Sequence, residues 1–168
     1  MYAASVPVFK QMLNSLSDVL AKAEAHATEK KIDANALLQA RLFPDMFALT
    51  RQVLIAADFA KGACARLAGV EVPKYDDTEQ TFADLQARIA KTLAFIDTLD
   101  AAQIDGSEER DISTSAGPNS KNFKGLTYLL HYALPQFFFH VTTTYALLRH
   151  NGVEIGKRDF MGKVKAAE

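Results

Sequence analysis

Apolar residues recur three and four apart along four separate stretches of the chain, and this period limits the fold more than any other feature. In the first stretch, about residues 5–28, Phe9, Met12, Leu13, Leu16, Val19, Leu20 and Ala23 share one helical face. Ser5 is the expected cap there, and Pro7 stands in the first turn. The second stretch, 44–68, opens at Pro44, carries Met46, Leu49, Val53, Ala57, Ala60, Cys64 and Leu67, and stops at Gly69. The third, 78–99, carries Phe82, Leu85, Ile89, Leu93, Ile96 and Leu99, with Thr78 or Asp77 as cap and an outer face that reads as solvated charge. The fourth, 125–149, ends at Asn151-Gly152. Four helices with one apolar face each bury those faces most economically against one another. An all-α four-helix bundle is the expected architecture.

The connections are less regular. A short helix capped by Asp33 is expected between the first two long ones. Residues 100–122 break the helical period, and weak alternation in "RDISTSAGPNSKNFKG" predicts a small hairpin or loop insertion before the fourth helix. In the tail, 152–168, Phe160 is expected to dock on the bundle while Arg158 and Asp159 hold a turn. The alternative is that Lys157 and Arg158 receive an anionic ligand.

A chain of 168 residues is most simply a single domain. Nineteen basic against twenty acidic residues give a net charge of −1, which argues against a dedicated nucleic-acid binder. The single cysteine, Cys64, excludes an intramolecular disulfide and reads as a small buried hydrophobe. Nothing approaches the ~20 apolar residues of a membrane span, and the N-terminus does not read as a secretory signal, so a cytoplasmic protein is expected. Phe137, Phe138 and Phe139 cannot all face inward on one helix. One is left for another helix or subunit, and a homodimer is expected.

The chemistry concentrates in "PQFFFHVTTTYALLRHNG". Gln136 and Thr144 stand one turn either side of His140, giving a polar row in a phenylalanine-rich segment. Such a row needs partners when buried. His140 can therefore be a hydrogen-bonded core histidine, a pocket or catalytic residue able to act as a base, or a metal ligand. His131 is nine residues earlier, about half a turn out of phase on a regular helix. Pro135 lacks an amide proton and clashes one turn back, so a kink, a bulge or a break is expected there. A bulge would bring His131 within roughly 80° of His140.

With its four helices and the ending "H-x6-LLR-x2-G", the chain resembles the DinB-like superfamily of metal-dependent four-helix bundles. "LFPDMFALTRQVLIAADFAKGACARLAG" and the last thirty residues resemble a bacterial branch of it known as a domain of unknown function. The resemblance implies the bundle fold, and by analogy thiol-dependent transferase or hydrolase-like chemistry. It implies a metal-binding histidine on the second helix and an H-x3-H pair on the fourth. Here the pair falls on Gln136 and His140, and the second-helix position falls near Thr50 to Gln52. Asp45 and Asp58 are carboxylates of the second helix, but ~220° apart around it. The expectation is an inherited pocket, lined by Gln136, Thr144, His131, Gln52 and Asp45, with a lost or altered metal site. No cofactor is expected; the alternative is a divalent zinc or nickel ion, with His140 the ligand if there is one. Binding or acting on a small molecule through His140 is one functional reading, and a non-catalytic homodimeric binding or structural protein is the other.

Overall fold

A computed structural model describes residues 1–116 and 119–164. After a short 3-10 turn, Tyr2–Ala4, the first long helix α1 spans Val6–Lys30 and the short α2 spans Ala34–Leu38. The remaining long helices are α3, Leu49–Ala68, α4, Phe82–Ile96, and a composite fourth. That fourth comprises α6, Gly125–Tyr128, a π turn, Leu129–Ala133, and α7, Leu134–His150. Between α4 and α6 lie the four-residue α5, Ala101–Ile104, and two strands, β1, Asp111–Ala116, and β2, Asn119–Lys124. A last short helix, α8, covers Lys157–Met161.

The long helices form a ring in which α1 packs on α4, α4 on α3, α3 on α7 and α7 on α1. The apolar stripes meet at its centre, where Phe9 and Phe137 pack edge to face with ring centroids 4.9 Å apart. Cys64 lies wholly inside, and burial pushes its thiol up to about 12, far from a reactive thiolate. Among the described residues, no helix is long and apolar enough to cross a membrane. Of the three consecutive phenylalanines, Phe137 is buried, Phe138 half-buried and Phe139 exposed.

Two helix starts differ from the pattern. The second begins at Leu49, because side chains of that helix hold both ends of the preceding segment, at Leu38 and at Phe47. Thr50 donates to the Leu38 carbonyl (3.1 Å) and the Gln52 amide donates to the Phe47 carbonyl (3.1 Å). The third begins at Phe82. Thr81, not Thr78 or Asp77, is its cap: the Thr81 hydroxyl accepts from the Asp84 N–H (3.1 Å), and the Asp84 carboxylate accepts from the Thr81 N–H (2.9 Å). Asp77 is occupied elsewhere, on Arg51 and Arg88.

Of the kink, bulge or break left open at Pro135, the fourth helix has a bulge. Leu134 N–H bonds to the Leu129 carbonyl five residues back, which makes the turn π rather than α. Widening the turn shifts the backbone ahead of the proline, where its ring would otherwise strike the His131 carbonyl.

The hairpin is antiparallel, with Asp111 opposite Lys124 and Ala116 opposite Asn119. Its expected Gly117-Pro118 turn lies outside the described residues. Ile112 is buried and Phe123 packs on Tyr128 and Tyr132, at 6.0 and 5.1 Å between ring centroids. At its base the backbone of Gly125 runs against Ser107, and the Leu126 N–H donates to the Glu108 carbonyl (2.9 Å). In the tail, Phe160 packs edge-on against Tyr145 (5.7 Å). Asp159 accepts from the Gly156 N–H (2.7 Å) and pairs with Lys22 (2.5 Å). That docking is the structural reading of this segment.

Candidate functional site

Gln52 and His140 stand 88 residues apart in the chain, and packing of α3 on α7 brings His140 Nδ1 to 2.6 Å from Gln52 Oε1. Both side chains are buried, His140 with 7% of its surface exposed. The Gln52 amide nitrogen is committed to the Phe47 carbonyl, so its oxygen faces the ring. An amide oxygen only accepts, so Nδ1 carries the proton and Nε2 is left as the acceptor. Nε2 makes no hydrogen bond among the described residues.

Phe59 lies almost parallel to the imidazole (centroids 6.0 Å apart, 16° between planes), and Phe139 stands edge-on at 5.2 Å. Burial, then the positive charge of Arg51, pull the His140 pKa down to about 4. The ring is neutral at physiological pH. It is a hydrogen-bond acceptor and a weak base, and it does not serve as a proton donor.

That depression sets a pH dependence. In the unfolded chain His140 protonates at about 6.5, while in the folded chain it stays neutral until about pH 4. The unfolded state thus binds the extra proton between those values, and stability falls as pH drops through that window. By pH 5 the expected loss is about 2 kcal/mol. The depressed carboxyls Asp77, Asp84, Asp105 and Asp159 act lower, because their stabilisation is lost only below their ordinary 3.8. Urea unfolding of the native chain and of His140→Gln at pH 7, 6 and 5 checks this; equal slopes against pH would refute it.

The other sequence candidates divide. Thr144 is buried, but its hydroxyl donates to the His140 carbonyl (2.9 Å), a helix bond rather than a contact with the ring. Gln136 is half-buried one turn before His140. Asp45 is exposed in the turn before α3, and His131 is exposed on the π turn. The bulge brings Tyr132, not His131, to this side: Tyr132 meets Phe59 at 5.9 Å. Eight residues less the extra one in the bulge put Tyr132 and His140 roughly 20° apart, on one face. Among the described residues no three His, Cys, Asp or Glu side chains converge as a metal would require.

A second polar cluster has no counterpart in the periodic reading, where the outer face of the third helix is solvated charge. Arg88 is 3% exposed and lies at the junction of α3, α4 and the extended segment 70–81. Its guanidinium meets Asp58 (3.1 Å), Asp77 (3.0 Å), Glu79 (2.8 Å) and the Asp76 carbonyl (3.0 Å). Burial works against its charge, and Asp58, Glu79 and Asp77 outweigh it, leaving the pKa above its ordinary value. Lys61, also buried, pairs with Asp58 (2.8 Å) and sits 3.9 Å from the Tyr75 ring centre. The one sequence signal was the run of carboxylates in "VPKYDDTEQ", just ahead of the helix that carries Arg88.

Fold and site together define a DinB-like bundle, with polar residues of α3 and α7 meeting where the superfamily resemblance locates its metal ligands. The chain belongs to the family described as domain of unknown function DUF1993, whose profile matches residues 1–161. It is similar to the protein in the "crystal structure of a DinB family member protein from Shewanella denitrificans at 1.83 Å resolution", with 40% identity and a TM-score of 0.92, over 99% of this chain and 94% of that one. No curated protein matches it.

Proposed function

We propose that this protein is a metal-independent small-molecule binder built on a DinB-like bundle, with His140 Nε2 as the hydrogen-bond acceptor presented to the ligand. The observation that carries this reading is the 2.6 Å bond between His140 Nδ1 and Gln52. It locks the tautomer, orients the ring and leaves Nε2 as the nitrogen able to accept. The donor set at the superfamily's ligand positions, one imidazole with the amides of Gln52 and Gln136, does not fit zinc or nickel. Those ions take imidazole, thiolate or carboxylate, usually three from the protein. Gln52 is moreover committed to Nδ1 and to the Phe47 carbonyl. With a pKa near 4, His140 is too weakly basic to hold a proton between steps at neutral pH, which favours binding over acid–base catalysis.

Elemental analysis of the purified protein, with thermal-shift screening of native and His140→Ala chains, tests the reading. The expected outcome is well under one equivalent of zinc or nickel, and ligand-induced stabilisation that His140→Ala abolishes. A tight stoichiometric metal, or ligand shifts identical in the two proteins, would reject it.

A homodimeric, non-catalytic role is favoured by one feature: Phe43, Phe47 and Phe139 are each more than half exposed. Sedimentation at increasing concentration tests it, and a dimer weakened by Phe139→Ser is the supporting result. A monomer throughout rejects it.

A further inference from the structure

Beside the Arg88 ion pairs, a cavity of about 320 Å³ lies between the extended segment 70–81 and α4, lined in part by Tyr75, Asp76, Glu79, Asp84, Arg88 and Lys91. None of these residues belongs to the binding role proposed for His140. Much of the hydrogen-bonding capacity around the cavity is spent within the protein. The two outer nitrogens of the Arg88 guanidinium hold Asp58, Asp77, Glu79 Oε1 and the Asp76 carbonyl. The Asp84 carboxylate accepts from the Gln80 and Thr81 N–H groups at the start of α4.

Two pairs of opposite charge remain. Arg88 Nε and Glu79 Oε2 are buried and have no hydrogen-bond partner among the described residues. The whole Arg88 side chain is only 2% exposed. Asp76 and Lys91 are exposed and form no ion pair among the described residues, and the Lys91 ammonium rests 4.2 Å from the centre of the Tyr75 ring.

A buried polar atom without a partner is costly, and nearly all such atoms in folded proteins are completed by protein, water or ligand. The two here are chemically opposite. Nε–H is a cationic donor and Oε2 an anionic acceptor, so a simple ion of either sign would satisfy one and oppose the other. Asp76 and Lys91 repeat the same pairing on the exposed lining. A matching ligand carries both charges. The volume lies at the lower end for ligand sites, which suits a molecule of few atoms.

We propose that this cavity binds a small zwitterion of the free amino acid class. Its carboxylate accepts from Arg88 Nε and Lys91, and its ammonium donates to Glu79 Oε2 and Asp76. Each bond is charge-assisted at both ends, so the zwitterion is preferred over a neutral amide of the same size.

The Arg88 Nε–H group gives its own signal in proton–nitrogen spectra of the native, 15N-labelled full-length chain, and the test follows it directly. Glycine, β-alanine and 4-aminobutyrate offer increasing charge separation, while propionate, propylammonium and propionamide carry one charge or none. At least one zwitterion is expected to shift the Nε–H signal with Kd on the order of 1 mM, roughly threefold or more tighter than every control. Its methylene protons should also show a nuclear Overhauser contact with the Tyr75 ring. If propionate binds as well as the best zwitterion, the site takes a plain anion; if propylammonium does, a plain cation; if propionamide does, charge is not required. Each of those results overturns the proposal. A signal that no probe moves overturns it too, and a cross-peak from Nε–H to water would then identify water as what completes the pair. The titration uses the unmodified protein, so a variant that fails to fold cannot obscure it. Failure here leaves the His140 reading standing, because metal content and the dependence of ligand shifts on His140 judge that one separately.

Discussion

Replacing Arg88 by methionine is expected to cost about 3–4 kcal/mol of stability. The reason is the carboxylates it leaves behind, more than the bonds it removes. Asp58 keeps Lys61 and Asp77 keeps Arg51, and both carboxylates are well exposed, so water screens much of their loss. Glu79 has no such reserve: its side chain is 11% exposed and, among the described residues, Oε2 lacks a partner and Arg88 is its only cation. Methionine fills the aliphatic volume, so the penalty is chiefly an uncompensated buried charge together with release of the segment 70–81. For a chain of this size the melting temperature should fall by roughly 6–16 °C. Urea unfolding at pH 7 measures the loss, and the double variant with Glu79→Gln should recover at least ~1 kcal/mol of it. A single-variant loss under ~1 kcal/mol would mean that the cluster is effectively solvated.

Gly125→Ala is expected to be nearly as costly, at about 3 kcal/mol. A Cβ there would fall on the carbonyl oxygen of Ser107, well inside van der Waals contact, and the obstacle is backbone rather than a movable side-chain tip. The chain must part at the point where the hairpin base meets the fourth helix, and the Leu126 bond to Glu108 would go with it. Hydrogen exchange should show the loss first at the hairpin amides and at Leu126. If the melting temperature and those amides are unchanged, the two backbone segments are not in the close contact described.

Much of the fold was legible because helical period is a local property. The stripe of Phe9, Leu13, Leu16 and Leu20 forecast α1 to within a few residues, and Gly69 ended α3 in the left-handed conformation expected of it. The misplaced starts of α3 and α4 have a common cause. Pro44 and Thr78 are good local start signals, but the turns they occupy are held by distant groups, Thr50 and Gln52 in one case and Arg88 in the other. For α4, Arg88 holds the segment around Thr78 extended, and the local Thr81–Asp84 box starts the helix instead.

The candidate site was half legible. His140 stood out in a polar row with Gln136 and Thr144 among phenylalanines, and Pro135 announced an interruption of the helix. The resemblance to the DinB-like superfamily narrowed the α3 position to Thr50–Gln52. Which atom of Gln52 meets which nitrogen could not be read, since that depends on how α3 and α7 are rotated in the ring. Pro135 left a kink, a bulge or a break open, and the consequence of the bulge was not foreseen: it carries Tyr132 toward His140 and leaves His131 at the surface.

By itself, the sequence determined four amphipathic helices, where most of them stop, and the irregular insertion before the last. Each follows from the backbone's fixed 3.6-residue turn and from the special conformations of proline and glycine. Only the tertiary structure decided which polar residues are buried and what they touch. Arg88 and Gln52 look like ordinary surface residues in any window of the chain. They are buried because helices and a loop far apart in sequence close over them and bring the partners their burial requires.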